Sequence, residues 1–351
     1  MVNDTILNTR QEQILKLLKQ RPEMSRSEMA GLISSKKTIS RITLIRDLNG
    51  LMKQELVSAK GKGKARVYSL TQDSPLLEYV NIDNYFELDI DKRGAKKDFN
   101  PGVFNKLSSP YSKGEVLLWE ESAKEFRERI GKLDKSIYKR ELERFVIEFS
   151  WKSSQIEGNT YDLLETETLI KENIEAKGHS KEEAVMILNH KDAFERVLNK
   201  KGGFTRLTFS DVTQLHGVLT KGLVSSGIRS QPVQISGTIY SPMQNTHDIE
   251  SALTRLVTLI NKTPFPPEKA LIAACMIAYI QPFADGNKRT ARMLANGILL
   301  AHGYFPLSYR NVDVNEYRKA LILFYEQNNL YHFKRIFIEQ LEFATQNYFR
   351  I

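Results

Sequence analysis

Apolar side chains recur at helical spacing along most of this chain, and strand-like stretches are few and short. Ile14, Leu17 and Leu18 predict a first helix over about Thr9–Lys19, with Pro22 just beyond its end. Ser25 and Glu28 form a capping-box pattern that opens a second helix carrying Met29, Leu32 and Ile33. A third helix is predicted from about Thr38 to Gln54. Its core face is assigned to Ile42, Ile45, Leu48, Leu51 and Met52, and its polar face to Arg41, Thr43, Arg46, Asn49 and Lys53. Leu56–Lys60 and Ala65–Leu70 read as two strands around a turn at Gly61-Lys62-Gly63-Lys64.

Further along, residues 76–125 are turn-rich, with Asn100-Pro101-Gly102 and Ser109-Pro110-Tyr111-Ser112, and read as a connector that ends near Trp119. From about Lys139 the pattern turns helical, with a stripe of Leu142, Phe145, Val146 and Phe149 that stops at Gly158. Leu294, Ile298 and Leu299 mark a core helix, and amphipathic helices follow over about 313–327 and 330–349. Ala270–Ile280 is the longest nearly apolar run and is too short to span a bilayer. The chain therefore reads as mainly α. No repeat or low-complexity tract breaks it.

Charge divides this picture. The net charge is +9, and residues 1–75 hold fourteen Lys/Arg against seven Asp/Glu, so +7 of it lies there. Such an excess suits a polyanionic partner. Three short helices and a basic hairpin resemble a winged helix-turn-helix domain. The resemblance implies DNA binding, with Arg41 and Arg46 at base edges and Lys62, Lys64 and Arg66 on phosphates. The plainer reading is a protein-interaction module with a solvated basic face. Winged helices also serve as dimerisation units, which leaves a homodimer open. The single cysteine, Cys275, rules out an internal disulfide and a cysteine-based metal site. With no signal peptide in Met1-Val2-Asn3-Asp4-Thr5 and no membrane segment, a cytoplasmic location is expected.

The chemistry concentrates in residues 281–292, Gln-Pro-Phe-Ala-Asp-Gly-Asn-Lys-Arg-Thr-Ala-Arg, where a loop is expected to turn into a helix. A helix N-terminus offers free N–H groups and a positive dipole end to a phosphate. Gly286 permits close backbone approach. Asp285 is a hard oxygen ligand suited to Mg²⁺ that phosphates also hold. Arg289 and Arg292 share a helix face and can neutralise phosphate oxygens.

This stretch resembles the signature of the Fic family, His-Pro-Phe-x-Asp/Glu-Gly-Asn-Gly/Lys-Arg-x-x-Arg. The resemblance implies a helical domain that transfers AMP from ATP, with Mg²⁺, to a Ser, Thr or Tyr hydroxyl of a target protein. Nucleotide would be held by Gly286, Asn287, Lys288, Arg289 and Arg292, and metal by Asp285. The family's general-base histidine is replaced by Gln281. An imidazole can take the hydroxyl proton near neutral pH, whereas a carboxamide cannot. His179, His190, His216, His247, His302 and His332 all lie outside the signature, and His216 reads as a buried or capping residue.

Two further segments extend the resemblance. Ser153-Ser154-Gln155-Ile156-Glu157-Gly158 resembles the family's inhibitory motif, in which the glutamate, here Glu157, pairs with the last signature arginine, here Arg292. Gly227–Gly237 looks like the family's flap, a short β-hairpin that docks the target segment through Val233, Gln234 and Ile235. The expected organisation is a winged-helix domain over 1–75 and a connector packed on the Fic domain over 76–134. The Fic domain follows over 135–351, with the inhibitory helix at about 139–157. The alternative function is an ATP-sensing, non-catalytic, DNA-binding transcription regulator.

Overall fold

The computed structural model of the chain describes residues 7–33, 40–71 and 74–350, the Lys64 side chain excepted. They form two compact units, Met1–Glu87 and Leu88–Ile351.

In the first unit, α1 (Thr9–Gln20) starts at Asn8, whose side chain accepts from the backbone of Arg10 and Gln11 in a capping box. β1 (Met24–Ser25) leads into α2 (Arg26–Ile33), where Ser25 and Glu28 exchange the backbone bonds that their spacing predicts. Next come α3 (Arg41–Lys53), β2 (Val57–Lys60), β3 (Val67–Leu70) and α4 (Ile82–Glu87). β3 is the middle strand of an antiparallel sheet, with Val57 opposite Leu70 and Met24 opposite Tyr68. The Thr38 start predicted for the third helix and the Lys64 side chain lie outside the described residues.

α3 departs from its predicted face. Ile42 is 64% exposed, Ile45 is half-buried, and Leu44 is in the core beside Leu48 and Leu51. The reason is Asp47, buried on the core side with its carboxylate taken by Arg10 Nε (2.8 Å) and Asn8 Nδ2 (3.0 Å). A paired buried aspartate leaves no hydrophobic trace in the sequence, so the apolar face is misplaced by about one position.

The second unit is helical. α5 (Lys113–Lys132) occupies a stretch expected to be connector; Trp119, Ala123 and Phe126 are its buried stripe. α5 packs on α14 (Tyr331–Asn347), fixed by Lys334 on Glu115 at 2.8 Å and by Arg129 on the carbonyls of Thr345 and Tyr348. Between them lie α6 (Lys135–Ile156), α7 (Leu163–Glu172), α8 (Lys181–Asn199), α9 (Phe209–Leu219) and α10 (Thr246–Lys262). α11 (Pro266–Ile280), α12 (Asn287–Ala301) and α13 (Val314–Gln327) complete the order. From Pro267 to Ile280 every residue of α11 is buried, as expected of a helix that is apolar all round. It begins with Pro266 and Pro267, ends on Gln281 in the left-handed region, and packs along α12. Among the described residues no helix is long and apolar enough to cross a membrane.

Candidate active site

The loop 281–286 joins the two central helices and is stitched from within. Asn287 accepts the Phe283 N–H (2.9 Å) and donates to Phe283 O (2.8 Å) and Gln281 Oε1 (2.9 Å). Gly286 is the N-cap of α12 at φ 76°, and a Cβ there would lie 2.7 Å from Thr220 Cγ2, so the turn admits only glycine. His216 stacks on Phe283 with ring centroids 3.7 Å apart, and its Nε2–H donates to Asp285 O (3.0 Å). Burial lowers the pKa of His216, so it supports the loop as a neutral ring.

Beside this loop lies a cavity of about 560 Å³, a size suited to a small ligand. Asp285, Gly286, Asn287 and Lys288 line one side, Leu321, Ile322 and Tyr325 another, and Val233–Gly237 a third. Glu157, the C-cap of α6, stands between the cavity and Arg292. Its Oε1 accepts from Arg292 NH2 (2.9 Å) and its Oε2 from Lys288 Nζ (2.8 Å). Burial pushes this carboxyl up, but the charges and hydrogen bonds of Arg292 and Lys288 outweigh it and hold the group at about 2.

Arg292 is fully buried and heavily committed. Nε donates to Ser153 Oγ (2.9 Å), NH2 to Ser153 O (2.7 Å), and the guanidinium sits 5.4 Å from the Tyr317 ring centroid. Behind Ser153 lies His190, with Nε2 2.9 Å from Ser153 Oγ and Nδ1 2.9 Å from Met186 O. The carbonyl can only accept, so Nδ1 carries the proton and Nε2 takes the Ser153 hydroxyl. Burial and the charge of Arg289 hold His190 at about 3, which keeps it neutral. His190 is thus part of the support, and no sequence pattern marks it as more than a helical histidine.

The other predicted residues are distributed as follows. Arg289 is buried, with NH2 on Asp285 Oδ2 (2.7 Å) and NH1 on Leu219 O (3.3 Å). It does not line the cavity. The Asp285 side chain is 60% exposed. Gln281 has both ends engaged, Nε2 on Ala278 O (2.6 Å) and Oε1 on Asn287. Residues 227–237 run to a turn at Ser236-Gly237 and carry no strand ladder among the described residues. Within them Gln234 is exposed between half-buried Val233 and Ile235. Arg229 anchors this flap and was not singled out from the sequence. Its N–H donates to Pro282 O (3.0 Å), Nε to Gln281 O (2.7 Å) and NH1 to Gln231 O (2.9 Å). At the tip, Arg93 NH1 donates to Gly237 O (3.0 Å).

The Fic/DOC family model matches residues 206–299, which span the flap, the loop and most of α12. This segment is similar to the Fic domain. A protein adenylyltransferase Fic from Nematostella vectensis is 28% identical over 193 residues, covering 52% of this chain and 44% of its own length. One from Culex quinquefasciatus is 27% identical over 195 residues, covering 53% and 38%. The chain thus spans less than half the length of these curated relatives. Fic-1 from C. elegans superposes with a TM-score of 0.56 at 23% identity, over 67% of this chain and 71% of that one. A Fic-domain signalling protein from Bacteroides thetaiotaomicron gives 0.54 at 22% identity, over 66% and 97%. The mainly helical Fic fold is shared with both. Residues 1–87 and Glu157 lie outside the Fic match.

Proposed function

We propose that this Fic domain binds ATP and transfers AMP to a Ser, Thr or Tyr hydroxyl of a protein, is restrained by Glu157, and is impaired by Gln281. The observation that carries the reading is the Glu157 carboxylate seated on Arg292 and Lys288 at the wall of the loop cavity. A phosphate competes for the same cations, so the carboxylate and a correctly placed triphosphate exclude each other. In the transfer, the target oxygen bonds to the α-phosphorus, the bond to the β-phosphate bridge breaks, and pyrophosphate leaves. The hydroxyl proton must go to a base. Gln281, its amide engaged by Ala278 O and Asn287, cannot hold that proton.

Asp285 fits a magnesium ion shared with phosphates. One of its oxygens is on Arg289 and the side chain is largely open. Among the described residues no three His, Cys, Asp or Glu side chains cluster, so the remaining ligands would come from nucleotide and water. Bound there, the ion would neutralise charge on the departing pyrophosphate. The half-buried Val233 and Ile235 around exposed Gln234 suit main-chain pairing with a target segment. The lone, buried Cys275 suits a cytoplasmic setting.

The test uses Gln281→His, alone and with Glu157→Gly, incubated with α-labelled ATP, Mg²⁺ and cell lysate. Restoring the base should raise transfer by about 10²–10⁴. Removing the carboxylate should raise it further. A double variant that labels neither a lysate protein nor itself ends the transfer reading.

A second reading has its own observation. α3 and the β2–β3 hairpin carry Arg41, Arg46, Lys60 and Lys62 on exposed positions. This supports a DNA-binding regulator in which the Fic domain senses ATP. Salt-dependent retardation of duplex DNA, changed by ATP, would support it; weak salt-insensitive binding would remove it.

A further inference from the structure

Residues 42, 46, 49 and 53 recur at spacings of four and three, so Ile42, Arg46, Asn49 and Lys53 share one face of α3, and all four are exposed. The opposite face buries Leu44, Leu48 and Leu51. Among the described residues of the first unit Ile42 is the most exposed large apolar side chain, at 64% against 50% for Leu32. A lone exposed isoleucine is ordinary. Its position is not: it is the second residue of the helix, next to Arg41 and one turn before Arg46. Ser40 caps this helix end by accepting the Thr43 N–H (3.1 Å). The helix is held rigidly, with Asp47 bonded by Arg10 and Asn8 on α1 and its carbonyl by Gln11. Neither Arg41 nor Arg46 is committed to a carboxylate among the described residues. Lys60 and Lys62 stand on the adjoining hairpin.

We propose that this face reads double-stranded DNA in the major groove, with Ile42 packing on the 5-methyl group of a thymine. Arg46 and Asn49 read the neighbouring base edges. This rests on the DNA-binding reading of the first unit and goes beyond it, from charge attraction to a named base. The occupant follows from the chemistry of the stripe. Guanidinium pairs with the guanine edge, a carboxamide with adenine, and an aliphatic group with the one methyl that the groove displays. The first turn of a groove-entering helix is where base contacts fall. The surrounding cations match a phosphate backbone.

The full chain is used to select duplexes from a randomised library. Each thymine of the selected site is then replaced by uracil, which deletes only the methyl. Binding is followed by fluorescence anisotropy at fixed salt, for the native chain and for Ile42→Ala. At one thymine the native chain should lose about fourfold in affinity, the worth of one buried methyl-sized group. Ile42→Ala should bind the thymine site more weakly and be indifferent to uracil at that position. Its urea midpoint should match the native one, because Ile42 is exposed. The inference is overturned if no uracil replacement weakens the native chain, or if the methyl effect persists in Ile42→Ala. It is also overturned if Ile42→Ala changes only the oligomeric state in light scattering, which would make the face a self-association surface. Failure to select any duplex even at low salt removes the DNA reading itself. That result differs from sequence-selective binding that ignores the methyl.

Discussion

Arg292 donates to Ser153 through two separate atoms and to Glu157 through one of those same nitrogens. Taking away the carboxylate therefore leaves the guanidinium held by Ser153, with His190 behind it. Glu157→Gly should raise ATP affinity, read by calorimetry, because Arg292 stays in place when its competitor leaves. Ser153→Ala should blunt that gain by loosening Arg292. Lys288 also holds the Glu157 carboxylate and faces the cavity, so on the proposed reading Lys288→Ala in the Gln281→His, Glu157→Gly background should weaken ATP binding, read by calorimetry. The same carboxylate sets an acid response. Its value in the fold is about 2 against an ordinary 4.5, so its stabilising contribution is complete above 4.5 and is lost as pH falls toward 2. Native protein should lose more of its urea midpoint as pH falls from 4.5 toward 2 than Glu157→Gln does. Glu157, Arg292 and Asp285 could be named from the sequence because a spaced motif records them. Lys288 as a latch and His190 as a support could not, since their roles depend on where α6 and α8 meet α12.

Between α11 and α12 the connecting loop tolerates almost no change. Gly286→Ala meets both a left-handed backbone and the Thr220 methyl, and should cost about 1–3 kcal/mol, read as a lowered Tm. Arg229 is buried with carbonyls as its partners, so Arg229→Ala should loosen the start of the flap while Arg93 still holds Gly237. In the Gln281→His background this should raise KM for the protein target and leave ATP affinity nearly unchanged, because Arg229 touches flap and loop carbonyls and not the nucleotide wall. Elements announced themselves unevenly. α1 and α2 carry their capping boxes in the sequence, and the structure uses both. α5 carried the same signals, Ser112 with Glu115 and a 119/123/126 stripe, but the prolines and glycines before it drew the connector reading too far. The α3 face was misassigned because Asp47, a buried charge, sits where an apolar residue is expected.

The molecule divides into a basic unit over Met1–Glu87 and a helical unit over Leu88–Ile351, each with its own contacts. On the proposed reading the second should bind ATP when produced alone as residues 88–351, measured by calorimetry on the Glu157→Gly form. Duplex binding by the full chain should fall linearly in log K against log salt, with a slope near −0.9 for each phosphate contact, and should vanish from the 88–351 fragment. Composition, helical periodicity and one contiguous signature were enough to read the helical class and the charge division and to single out the 281–292 loop, because each is written in residues close together along the chain. The Lys288 contact to Glu157, the His190 support behind Ser153, the Arg229 anchor and the exposed Ile42 came from packing. They join residues more than thirty positions apart or turn on which side of a helix meets the core, and a linear pattern carries no record of either.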